Sequence, residues 1–245
     1  MASISNNEIK RVKSLQQKKF RDEYGLFTVE GEKMVEEALH SRFAVENVYR
    51  RDEIGEETMK RISALASPSP VLAVLRKPSD IYVDDISSFA ESLPAEGLYL
   101  GLDTIRDPGN LGTILRIADW FGIKNIYCSL DTADVWNPKV VQATMGSIAR
   151  VAVRYQPLTE LLDTLPPDFP VYGTMLDGDD ISETKFNSCG IIVMGNEGNG
   201  ISPDIAQRLN HRVLIPNFPK GEPTADSLNV AIATAITCFV ARNAK

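Results

Sequence analysis

The chain has 245 residues, of which 43% are hydrophobic and 24% charged, with a formal net charge of −7. This is the composition of an ordinary soluble globular protein with room for two modest domains, and it excludes a collagen-like fibre or a disordered chain. No apolar run approaches the ~18 residues of a membrane-spanning helix, and the N-terminus lacks the apolar core of a signal peptide, so a cytoplasmic location is expected. Cys128, Cys189 and Cys238 are widely spaced among apolar neighbours and read as buried reduced thiols. With only His40 and His211 and no CxxC pair, no metal site is expected.

Charge is unevenly spread along the chain. Residues 1–78 carry 14 Lys and Arg against 12 Asp and Glu, net +2, whereas 79–245 carry 12 against 21, net −9. The basic excess at the front lies in Lys10, Arg11, Lys13, Lys18, Lys19 and Arg21, around apolar residues at 9, 12, 15 and 20. One helix over Ile9–Phe20 is predicted, whose basic face either holds nucleic-acid phosphates or is merely solvated; charge alone favours neither. A strand at Leu26–Val29, a helix at Lys33–Leu39, a strand at Val45–Tyr49, a helix at Met59–Leu65 and a buried strand at Val71–Leu75 complete a small α/β unit. The acidic, proline-broken stretch that follows reads as a linker, which divides the chain into domains at 1–78 and 95–245 with the linker at 79–94.

The second domain is more regular. Apolar runs recur at Leu98–Leu102, Asn125–Cys128, Val171–Met175, Ile191–Met194 and Val213–Ile215, each apolar on both faces as the strands of a helix-covered sheet must be. Leu111, Ile114, Leu115, Ala118 and Phe121 keep helical spacing and stop at Gly122. Leu228, Ile232, Ala235, Ile236 and Phe239 mark the stripe of a closing helix with Ser227 as its expected N-cap. Val230, Ala233, Thr237 and Val240 widen that stripe beyond one core face, which predicts a covering partner. Alternating strands and helices give an α/β fold with a parallel sheet.

Three polar segments fall where these strands end: Leu102–Arg116, Met194–Ser202, and Ile215–Pro216 with Ser227–Ala231. Parallel sheets bind ligands beyond the carboxyl ends of their strands, so the three loops define one crevice. The spacing G-x-x-G-x-G at 195–200 follows a late strand and no Walker lysine is present, which disfavours dinucleotides and nucleoside triphosphates. Taken singly the glycines could shape plain turns. Together, DPGNLGTILRIADWFG at 107–122, IIVMGNEGNGIS at 191–202 and IP…SLNVAIATAI at 215–236 resemble the three signature motifs of the SpoU/TrmH family of RNA ribose 2′-O-methyltransferases, in the SPOUT superfamily. The stretch 136–147 is similar to the family's segment between its first two motifs, and the front domain resembles, less specifically, its L30e-like substrate-binding domain.

That resemblance implies a parallel-sheet SPOUT methyltransferase domain with a C-terminal trefoil knot, S-adenosylmethionine held largely by backbone in the knot, and a homodimer that shares its active sites. Carried over by position, it implies cofactor contacts at Thr174, Met175, Leu176, Gly195, Asn196, Gly198, Gly200, Ile215 and Leu228. It implies catalytic roles for Asn110, Arg116, Glu197, Ser227 and Asn229. No His or Cys in these motifs could serve as an orthodox base, and arginine is a poor one. Arg116 therefore reads as a clamp on the phosphate beside the target ribose, steadied by Glu197 and Asn110, with that phosphate relaying the proton. Asn110 and Ser227 also read as helix caps. The resemblance also implies RNA bound through Lys10, Arg11, Lys13, Lys18, Lys19 and Arg21, with rRNA expected in preference to tRNA, and the other reading is a non-catalytic assembly factor that retains the fold. The loop 217–226 is longer than the family's compact one, and Ala231 stands where a serine is frequent.

Overall fold

The structure, a computed structural model, describes residues 4–79, 97–219, 222 and 224–243. In chain order the elements are α1 (Asn6–Ser14), α2 (Lys18–Tyr24), β1 (Leu26–Glu30), α3 (Glu32–Leu39), β2 (Val45–Arg50), α4 (Arg51–Ile54), α5 (Glu56–Ile62) and β3 (Val71–Arg76). They continue with β4 (Gly97–Leu102), α6 (Pro108–Trp120), β5 (Asn125–Cys128), α7 (Pro138–Ala143), β6 (Ala152–Tyr155) and α8 (Leu158–Asp163). The last are β7 (Val171–Asp180), β8 (Cys189–Met194), α9 (Pro203–Ala206), β9 (His211–Leu214) and α10 (Val230–Asn243). Two compact units result: Met1–Ser79 with Asp134–Arg150, and Asp80–Ala133 with Val151–Lys245. The linker expected at 79–94 lies, apart from Ser79, outside the described residues.

In the first unit three antiparallel strands take the order β1-β3-β2, backed by the apolar faces of α1 and α5 through Ile9, Val12, Leu15, Met59 and Ile62. The single helix expected over Ile9–Phe20 is instead α1 and α2, broken at Leu15 to Gln17. The break has a cause in Arg21. Its side chain is 2% exposed and folds back so that Nη1 donates to the Leu15 carbonyl at 2.9 Å while Nη2 pairs with Asp134 at 2.7 Å. Residues 134–150, which the sequence reading left in the second domain, join this unit through that ion pair and through Trp136, whose ring lies 4.4 Å from Phe27 and 5.9 Å from Phe43.

The second unit is a six-stranded parallel sheet in the order β6-β5-β4-β8-β7-β9. The central strands β4 and β8 are buried along nearly their whole length, as their apolar runs require. The two edge strands read differently. The run expected at Val213–Ile215 falls in and just after β9, which opens on the exposed His211 and Arg212; of the run Val213 is buried and Leu214 and Ile215 are half-buried. The four-residue β6, which no apolar run announced, buries only Val153 and Tyr155. An edge strand keeps one side toward solvent, and the sequence there loses its continuous apolar signal. Tyr99, Tyr127, Leu158, Leu161, Val171, Ile191 and Val193 form a core on one face of the sheet. Val213 of β9 is partner to both Thr174 and Asp179 of β7, with 175–178 forming an irregularity between them.

Helix α6 opens as its sequence dictates: Asp107 accepts from the Asn110 N–H at 2.8 Å and Pro108 follows at the first turn. Asp107, not Asn110, is therefore the cap. Helix α10 corrects the sequence reading twice. It begins at Val230, capped by Asn229 and not by Ser227, with Asn229 Oδ1 accepting from the Ala231 and Ile232 N–H groups at 3.0 and 3.2 Å. Its buried side is Val230, Ala231, Thr234, Thr237, Cys238 and Ala241, whereas Ile232 and Phe239 of the expected core stripe are 54% and 59% exposed. The small residues face the core of the second unit because α10 packs closely on α6.

Candidate functional site

Loops leaving β4, β8 and β9 at their carboxyl ends meet in one place. The chemistry starts at Asp103, polar at the end of an apolar strand and only 4% exposed. Its carboxylate accepts from the Ser202 N–H at 2.7 Å and the Thr104 hydroxyl at 3.1 Å, which ties the first loop to the second. Thr104 sits at φ +60°, in the left-handed region that costs a β-branched residue about 1–3 kcal/mol. Two bonds hold it there: its N–H to Ser129 Oγ at 2.8 Å, and its carbonyl to Asn196 Nδ2 at 2.8 Å. Asp103 and Thr104 lie in the first polar segment, but the sequence assigns them no role, and Ser129 carries no sequence signal.

The turn at 195–200 is self-contained. Asn196 Oδ1 accepts from the Gly198 and Asn199 N–H groups at 3.0 and 3.1 Å, and Asn196 bonds Gly200 in both directions through backbone at 2.9 Å. A Cβ on Gly195 would stand 2.2 Å from the Gly200 carbonyl carbon, and Gly200 itself has φ +70°. These glycines are required by the turn itself.

A polar relay joins all three loops. Glu197 can only accept, so Asn110 turns its amide nitrogen toward it, Nδ2 to Oε1 at 2.9 Å. That leaves Asn110 Oδ1 free to accept from Asn229 Nδ2, also at 2.9 Å. Asn196 Nδ2 reaches the other carboxylate oxygen of Glu197 at 3.3 Å. Four amide and carboxylate side chains are thus oriented by one another. Arg116 does not join them. It is exposed and, among the described residues, forms no ion pair or hydrogen bond, so Glu197 and Asn110 do not steady its guanidinium as expected.

Beside this relay lies a cavity of about 520 Å³, inside the size range of small-molecule sites. Thr174, Met175, Leu176, Gly195, Asn196, Gly198, Gly200, Ile215 and Leu228 all line it, as do Glu197 and Ser227. Among the described residues its charged lining is Asp177, which pairs with Arg212 at 2.8 Å, together with Glu197 and Asp226. Carboxylates beside apolar wall residues suit a ligand that carries positive charge next to a ring system. An adenosyl group joined to a sulfonium meets that description, so the residues fit S-adenosylmethionine.

The six basic residues of the front segment separate by environment. Lys10, Lys13 and Lys19 are exposed, the last with its ammonium 5.7 Å from the Phe20 ring centre. Arg11 is engaged by Glu46 and Glu8, and Lys18 pairs with Asp22 at 2.6 Å. Arg21 is buried, so it offers no surface charge.

Comparison with known proteins adds the following. The sequence model of the SpoU rRNA Methylase family matches residues 97–239, and that of an MRM3-like substrate binding domain matches 6–77. The chain is 29% identical to the 23S rRNA (guanosine(2553)-2′-O)-methyltransferase RlmP of Bacillus subtilis over 97% of its own length and 96% of that protein. Among solved structures, a putative RNA methyltransferase of the TrmH family from Porphyromonas gingivalis matches over the full length of both chains, with 37% identity and a TM-score of 0.85. An AdoMet-bound rRNA methyltransferase from Sinorhizobium meliloti has 29% identity and a TM-score of 0.86, over 99% of this chain and 97% of that one. The motifs that meet at the cavity are thus part of a pattern running through more than half of the chain, and the protein belongs to the SpoU rRNA Methylase family.

Proposed function

We propose that the protein is an S-adenosylmethionine-dependent methyltransferase acting on the ribose 2′-hydroxyl of a nucleotide in ribosomal RNA. The observation that carries this reading is the relay Glu197–Asn110–Asn229 standing beside an acidic-walled cavity of cofactor size. Bound S-adenosylmethionine supplies a methyl group on a sulfonium. The chain's own residues supply alignment, which is the main need of an in-line displacement at carbon. Glu197, Asn110 and Asn229 form a rigid polar edge for the ribose hydroxyl, and Ser227 lies on the cavity wall. The unengaged guanidinium of Arg116 is left to take a phosphate oxygen pair, and that phosphate is the acceptor for the hydroxyl proton.

The same proposal includes the C-terminal trefoil knot, supported by the pairing of β9 with two separated parts of β7. It includes a homodimer, supported by the exposed Ile232 and Phe239 on α10 and Trp120, 84% exposed, on α6. The domain division near 78 and 95 and a cytoplasmic site of action complete it; RlmP, a bacterial 23S rRNA enzyme by name, supports the latter. The test is to map ribose methylations of ribosomal RNA in a deletion strain. One lost methylation, restored by the wild-type gene and not by Arg116→Ala, is expected. An unchanged methylation map would sink the reading.

A further inference from the structure

The first unit contains a second cavity, of about 320 Å³, that the methyl-transfer chemistry does not use. Its walls are largely apolar: Ala64, Leu65, Pro138, Val141 and Ala143. Four polar groups reach it. Thr28 is 6% exposed, yet its hydroxyl makes no hydrogen bond to any other described residue. A hydroxyl that lines the cavity without a protein partner can donate to or accept from whatever occupies it. The half-buried Gln142 amide is equally unengaged, and Lys139, exposed at the mouth, has no carboxylate partner among the described residues. Glu30 is 5% exposed and accepts from the Ala64 N–H at 2.7 Å and the Ser63 hydroxyl at 2.5 Å. Each of its oxygens keeps a further lone pair.

A slot with aliphatic walls, a free hydroxyl and amide, a carboxylate that can only accept, and a lysine at its mouth matches an unstacked nucleotide. The ring fills the apolar space, the base edge meets the polar groups, and the phosphate meets the lysine. We infer that this cavity takes a base of the RNA substrate extruded from its stack, and that the base is guanine. Guanine presents two adjacent N–H donors on one edge, which is what the Glu30 carboxylate can receive, and a carbonyl for Gln142 or Thr28. Uracil and cytosine are smaller, and adenine lacks the paired donors. This inference rests on the reading of the protein as an RNA methyltransferase, and adds a specificity pocket to it.

The test uses the full chain with GMP, AMP, CMP and UMP as probes, followed by NMR in the presence of saturating S-adenosylmethionine. GMP is expected to shift the side-chain amide signal of Gln142 and to bind at least tenfold more tightly than UMP. Thr28→Val and Gln142→Leu, both near-isosteric, should each weaken GMP at least fivefold and raise the KM for RNA while kcat and S-adenosylmethionine affinity stay unchanged. Lys139→Ala should weaken GMP and leave guanosine unaffected. No nucleotide binding, or GMP binding indifferent to Thr28→Val and Gln142→Leu, overturns the pocket even if methyl transfer is intact. Loss of S-adenosylmethionine binding by the wild-type chain would instead strike the enzymatic reading.

Discussion

Arg116 and Asn229 illustrate how single residues divide the work of the site. Arg116 is exposed and unengaged, so Arg116→Ala should leave S-adenosylmethionine affinity and the melting temperature within error while lowering methyl transfer by at least a hundredfold, as single-turnover assays on RNA would show. Arg116→Lys should recover little, because an ammonium cannot reproduce a bidentate phosphate contact. Near-normal turnover by the lysine variant would remove the clamp. Asn229 serves twice, as the cap of α10 and as the donor to Asn110. Asn229→Ala should lose about 1 kcal/mol of stability together with activity. Asn229→Asp keeps the capping oxygen but cannot donate to Asn110, so it should hold stability and still lose activity. The pair of variants separates the two roles by melting temperature against kcat. The thiols behave simply: burial raises Cys128 well above its ordinary range and Cys238 to about 12. Native protein should therefore react first at the half-buried Cys189, with Cys128 and Cys238 labelled only on unfolding.

At the scale of elements, α10 has two faces with different fates. Thr234 and Thr237 are wholly buried and bond back to the Val230 and Ala233 carbonyls at 2.7 and 2.9 Å, which lets the helix pack closely on its neighbour without orphaned hydroxyls. Ile232 and Phe239 point outward. Ile232→Lys with Phe239→Lys should yield a folded monomer by light scattering, with a circular dichroism spectrum like that of the wild type and much reduced activity. An unchanged dimer would mean that another face carries the interface. Thr234→Lys, by contrast, should unfold the second unit.

Over the whole molecule, charge is distributed by task. Of the six basic residues at the front, the exposed Lys10, Lys13 and Lys19 are left for phosphate, while Arg11 and Lys18 are held in surface ion pairs and Arg21 is buried. Replacing the three exposed lysines by Ala should lower the slope of log K against log salt for RNA binding by about 2–3, whereas Arg21→Ala should reduce folding stability. Asp22 adds a pH signature. Burial alone would raise its pKa, but hydrogen bonds from Lys18 and Lys77, both at 2.6 Å, hold it below the ordinary range. A carboxyl lowered in the folded state stabilises at neutral pH and loses that contribution as pH falls through its folded value. The melting-temperature advantage of wild type over Asp22→Asn should therefore be constant above about pH 5 and decline as pH falls below the ordinary carboxylate range.

The sequence alone determined what depends on local pattern: the central strands with their continuous apolar runs, the apolar stripe of α6, and the polar loops at the strand ends. It could also name Asn110, Glu197 and Asn229. It could not order them into a relay, because 87 residues separate Asn110 from Glu197 and 119 separate it from Asn229. Only tertiary structure decided which side of α10 faces inward, since an apolar stripe suits a core and a partner's surface equally and the small residues won the closer contact. Only tertiary structure turned Arg21 inward, because the carboxylate it meets, Asp134, lies 113 residues away. Periodicity reports what one segment prefers; which surface meets it is settled by chain segments that the local pattern never mentions.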